Sequence, residues 1–148
     1  MHTPDGRYSV NSIVLREQDL LAAEQQVPAN LPVVMLNLVA FNPVAQYEES
    51  AAASCSGREA YFQRYAPAFR EAAAAENVEG IRVVFVGSVA ATLIGPKDRH
   101  WDAIVLVEYP NFAALRKVLE SSAYKTYAEP HRKAALKDWQ FVATLQPR

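Results

Sequence analysis

Asn37 is the one strongly polar side chain inside the apolar run Val33-Val34-Met35-Leu36-Asn37-Leu38-Val39-Ala40-Phe41. A buried amide has two donors and an acceptor to satisfy, so it either orients a ligand on an apolar wall or ties down neighbouring backbone. His131 and Arg132 follow Tyr124 and Tyr127 at a spacing that groups Tyr124, Tyr127, His131 and Ala135 on one helical face. A histidine turned toward a sheet can act as a general acid or base near neutral pH, or bind a small anion with Arg132. The same residue is also commonly packed and satisfied by a carbonyl. Tyr61, Phe62, Tyr65 and Phe69 recur at helical spacing with Arg58 ahead of them. Such a stripe can wall an aromatic pocket with Arg58 at its mouth, and core packing explains the same spacing.

Other chemistry-bearing residues fit a site less well. On a regular strand His100, Asp102 and Glu108 share a face, but His100 and Glu108 would stand roughly 26 Å apart, so only His100 with Asp102 makes a pair. Cys55 precedes a helix start, where a thiol is more easily ionised, yet no histidine lies near it in sequence. His2, His100, His131 and Cys55 show no metal-ligand spacing, and no glycine-rich phosphate loop occurs. Neither a metal nor a bound cofactor is expected.

These residues must be held by a fold. A chain of 148 residues with 51% apolar content suits one domain with its own core. A net charge of -1 gives no footprint for a nucleic-acid backbone. No apolar run approaches the roughly 20 residues that span a bilayer. The opening residues do not resemble a signal peptide, and a lone cysteine fits a reducing compartment, so a cytoplasmic location is expected.

Residues 14–27 form a modest amphipathic helix ended by Pro28, making residues 1–31 an N-terminal extension to a domain over residues 32–148. Residues 33–41 read as a buried strand. Ser56 and Glu59 make a capping box for a helix that Pro67 should kink. Ile81 to Ile94 reads as a long strand bent at Gly87. After a polar hairpin tip, Trp101 to Pro110 reads as a buried strand, and Asn111 caps a helix bearing Phe112, Leu115, Val118 and Leu119. Ser121 and Ser122 begin a further helix, which Pro130 can distort, and a last strand carries Trp139, Phe141, Ala143 and Leu145.

The order is that of a ferredoxin-like βαββαβ unit of the α+β class, an antiparallel sheet with helices on one face. Both faces of its strands are apolar: Val34, Leu36 and Leu38 oppose Met35, Val39 and Phe41. Helices cover only one side, so the other is expected to meet a second copy of the chain.

Met35-Leu36-Asn37-Leu38, Gly57-Arg58-Glu59-Ala60-Tyr61, Ile94-Gly95-Pro96, Trp101-Asp102, Val107-Glu108-Tyr109-Pro110 and Tyr124 with His131-Arg132 together resemble the domain of unknown function 1330 family, over about residues 32 to 145. The resemblance implies a dimeric α/β barrel, in which two ferredoxin-like sheets pack face to face, and no assigned activity. That superfamily includes cofactor-independent monooxygenases of polycyclic aromatics, muconolactone isomerases and haem-degrading enzymes, and no catalytic residue transfers from fold alone. The expected protein is a homodimer binding a small, mostly apolar organic molecule at Asn37, Arg58, Tyr65, Tyr124 and Arg132. His131 is its candidate acid or base, and the enzyme it would make is monooxygenase- or isomerase-like without a cofactor. The alternative is a non-catalytic binding or structural module in which these residues fill the core.

Overall fold

The computed structural model describes residues 13–49 and 53–147. His2 lies outside them. Helix α1 spans Glu17–Gln26, strand β1 Val33–Phe41, and helix α2 residues 57–75. Strands β2 and β3 span Arg82–Ser88 and Ala103–Tyr109, helix α3 spans Phe112–Leu119, helix α4 residues 122–135, and strand β4 Leu136–Thr144. All strand pairs are antiparallel, in the order β2-β3-β1-β4. This is the expected ferredoxin-like α+β architecture.

Local chemistry sets the helix starts. The Ser56 hydroxyl accepts from the Glu59 amide at 3.0 Å while the Glu59 carboxylate accepts from the Ser56 amide at 3.2 Å, completing the capping box. Asn111 Oδ1 accepts from the Ala114 amide at 2.8 Å. Inside α2 and α4 the helix widens into a π turn, at Ala60–Tyr65 and Tyr124–Ala128. Each π turn ends two residues before a proline, Pro67 and Pro130. In α geometry a proline ring strikes the carbonyl four residues back and leaves it without a donor. Those carbonyls belong to Gln63 and Thr126, both inside the wide turns, which accommodate the prolines without ending the helices.

The sheet has two unlike faces. Val33, Met35, Asn37 and Val39 are buried under the helices, as are Ala103, Val105 and Tyr109 of β3. Leu20 of α1 and Val27 just after it join the core that Val33, Met35, Phe112, Leu115 and Tyr124 share. On the opposite face Val34, Leu36, Leu38, Ile104 and Leu106 are half-buried, with no helix over them among the described residues. Phe85 joins that face opposite Leu106 and is 53% exposed.

Two expectations are corrected. The strand expected over 81–94 stops at Ser88, and Leu93 and Ile94 are 93% and 96% exposed. An apolar run alone does not extend a strand where neither neighbour nor core meets it. The irregularity expected at Gly87 lies instead between Val83 and Phe85. Gly87 serves another purpose: a Cβ there would stand 2.6 Å from the Phe85 ring, so its bareness makes room for that ring.

Candidate functional site

Helix α2 lies over the middle of the sheet and leaves β2 without cover, so the helix-side Val83 and Val86 remain 57% and 50% exposed. Between α2 and the sheet opens a cleft of about 640 Å³. One wall is the aromatic stripe of α2, with Tyr61, Phe62, Tyr65 and Phe69 all on the lining. The other is the sheet, with Val105, Val107 and Phe141. Arg70 and Glu79 supply charge. The helical spacing therefore builds a pocket wall, and the same rings also pack on one another: Tyr61 stacks on Tyr65 with centroids 5.2 Å apart.

Asn37 lies in the cleft lining, held from two sides. Its Nδ2 donates to the Val105 carbonyl at 3.2 Å, and its Oδ1 accepts from the Trp139 indole at 3.0 Å. One amide hydrogen and one lone pair are left over. The amide thus ties strands together, and its residue lies on the cleft lining.

Tyr65, Tyr124 and Arg132 form a second polar array. The Tyr65 and Tyr124 hydroxyls stand 3.1 Å apart, and Arg132 Nε donates to the Tyr124 oxygen at 3.1 Å. Arg132 is 1% exposed, with its guanidinium 4.5 Å from the Trp139 ring centroid, donating to the Ile13 carbonyl at 2.7 Å. Its Nη2 stands 3.6 Å from the Glu129 carboxylate. Burial pushes the phenols of Tyr61, Tyr65 and Tyr109 well above the ordinary tyrosine range, with Tyr124 adding to the rise. These three line the cleft as protonated hydroxyls.

His131 is placed elsewhere. The expected face of Tyr124, Tyr127, His131 and Ala135 does not form: Tyr127 is 68% exposed, while Ala128 and Arg132 are buried with Tyr124. The π turn adds one residue to the turn, so the inward position passes from His131 to Arg132. His131 Nδ1 instead meets the Tyr47 hydroxyl at 2.7 Å, and Arg64 Nη1 donates to that hydroxyl at 3.2 Å. Tyr47 therefore links Arg64 to His131, and the histidine tautomer sets which of the Tyr47–His131 pair donates. Burial, then the Arg64 charge, lowers the His131 pKa. The anticipated pocket touching both Asn37 and His131 is not what forms, because the cleft reaches Asn37 and not His131.

The remaining candidates separate too. Arg58 lies over the Phe41 ring at 4.9 Å and does not line the cleft. His100 is exposed and outside β3, and Asp102 accepts from the Phe41 amide at 2.8 Å rather than pairing with it. Phe141 and Tyr109, absent from the candidate residues, are cleft walls. Phe141 pairs directly with Asn37, a register that the alternation of the last strand does not reveal by itself. Tyr109 required knowing that β2 is left bare.

The chain is similar to a structural-genomics protein of unknown function from Rhodopseudomonas palustris. The two share 29% identity over 91% of this chain and 97% of that one, with a TM-score of 0.75. A crystal structure of the same protein in methylated form gives 28% identity, 91% and 95% coverage and a TM-score of 0.72. An EthD-family protein from Bacillus halodurans is 16% identical, over 79% of this chain and 100% of that one, with a TM-score of 0.49. At that distance the superposition carries no argument. No family model matches the chain, and no curated protein matches it. The similarity supports the fold and brings no activity with it. The resemblance to the domain of unknown function 1330 family rests on its motifs alone.

Proposed function

We propose that this protein is a homodimer that binds a small, mostly apolar organic molecule in the cleft between α2 and the sheet. The observation that carries the reading is the cleft itself. Its volume of about 640 Å³ falls within the range of small-molecule pockets. Its walls are aromatic and aliphatic, and a few polar groups, chiefly Asn37 and Tyr65, converge on them. The dimer is inferred from the uncovered apolar face carrying Leu36, Leu38, Leu106 and Phe85, and agrees with the resemblance to the domain of unknown function 1330 family. Burial holds the cleft's phenols protonated, so they offer hydrogen bonds rather than bases. In any turnover these phenols would polarise the bound molecule by hydrogen bonds, and Glu79 is a carboxylate on the same lining.

The test is binding of the neutral fluorophore N-phenyl-1-naphthylamine. The wild type should show saturable, blue-shifted emission, and Ala66→Trp, which places an indole in the cleft lining, should abolish it while keeping the urea midpoint of unfolding. A folded Ala66→Trp that binds the probe as the wild type does would overturn the reading.

A further inference from the structure

We infer that the cleft selects molecules carrying a hydrogen-bond-accepting oxygen, such as a carbonyl, on an otherwise apolar skeleton, and that Tyr65 donates to that oxygen because Arg132 and Tyr124 orient its proton. The inference rests on the cleft being the binding site and adds the chemistry it recognises.

The inferred direction of the hydrogen bonds starts from what each group can do. A guanidinium has donors and no acceptor, and it stays charged. Arg132 Nε stands 3.1 Å from the Tyr124 oxygen, so that oxygen accepts. The cation repels the hydroxyl proton of Tyr124, which turns away toward the Tyr65 oxygen at 3.1 Å. With Tyr124 as donor the Tyr65 oxygen accepts, which frees the Tyr65 proton to turn toward the cleft that this residue lines. The result is a one-way chain from Arg132 through Tyr124 to Tyr65.

The surroundings favour this polarity. Arg132 and Tyr124 are each 1% exposed, so water does little to screen the guanidinium from the phenols, and successive hydrogen bonds polarise one another. The guanidinium cannot swing away. Its Nη1 is tied to the Ile13 carbonyl at 2.7 Å, and its plane meets the Trp139 ring at 4.5 Å. Tyr65 is the group that would touch the ligand; Tyr124 and Arg132 are positioning residues. The Asn37 amide, on the same lining, has a donor left with which to share the oxygen.

The experiment compares 1-tetralone, which accepts a hydrogen bond and donates none, with tetralin, the same skeleton without the oxygen, each displacing N-phenyl-1-naphthylamine. Tyr65→Phe should weaken 1-tetralone about tenfold and leave tetralin within about twofold, the difference expected for one hydrogen bond. The infrared carbonyl stretch of bound 1-tetralone should lie below its value in an apolar solvent in the wild type and return toward that value in Tyr65→Phe. Tyr124→Phe should weaken 1-tetralone alone and shift the stretch partway, which a merely structural role would not do. Equal losses for both probes, or a stretch unmoved by Tyr65→Phe, would overturn the inference while leaving the cleft reading standing. Failure of both probes to displace the fluorophore from the wild type would overturn the two together.

Discussion

His131 shows how one residue's place decides its chemistry. Its Nδ1 meets the Tyr47 hydroxyl, and burial with the Arg64 charge lowers its pKa below the ordinary histidine value of 6.5. The unfolded chain therefore binds the proton more readily than the folded one. Stability rises with pH through the window below 6.5 and falls as pH drops through it. An NMR titration should place the His131 midpoint below 6.5, and His131→Gln should flatten the loss of thermal stability between pH 7 and pH 5; a midpoint above 6.5 would contradict this account. Asn37 belongs to the same scale. Asn37→Ala leaves the Trp139 indole donor without the acceptor it uses, and should cost about 1–3 kcal/mol in urea unfolding. A change below a few tenths would show that the amide ties nothing down.

At the scale of elements, hydrophobic patterning made β1, β3, α2 and α3 legible, along with the Ser56 and Asn111 caps. What patterning could not show was helix phase. Nothing in Tyr124-Lys125-Thr126-Tyr127-Ala128 announces a π turn except Pro130 downstream, and that one extra residue exchanges His131 for Arg132 at the inward position. The candidate site was therefore half legible: Asn37, Tyr65, Tyr124 and Arg132 surround the cleft or its polar support, whereas His131 and Arg58 stand apart. The proline explanation of the wide turn is testable. Deleting Thr126 alone forces Pro130 into α geometry and should cost on the order of 3 kcal/mol, most of which Pro130→Ala should restore in the deletion background. Additive effects of the two changes would contradict it. A close approach between elements gives a further expectation. A Cβ on Gly57 would lie 2.3 Å from the Asn42 carbonyl oxygen and 2.5 Å from that of Ala135, both backbone atoms, so Gly57→Ala should destabilise by about 1–3 kcal/mol or more in thermal unfolding.

For the whole molecule, the sheet organises two surfaces with different roles. The helix side holds the core and the cleft, and the open side carries Leu36 opposite Leu106 with no helix above them. No helix among the described residues is long and apolar enough to cross a membrane. The open side is the proposed meeting place of two copies. Sedimentation equilibrium should give a mass near twice 16.4 kDa, and Leu36→Lys, which buries a charge at that interface, should give the monomer mass. A wild-type monomer at micromolar concentration would remove the dimer while leaving the cleft untouched. The central claim concerns the cleft, and a crystal structure of the protein with N-phenyl-1-naphthylamine bound tests it most directly. The account predicts the fluorophore between α2 and the sheet, against Tyr65 and Phe141; a fluorophore seated on the open face of the sheet, with the cleft unfilled, would contradict it.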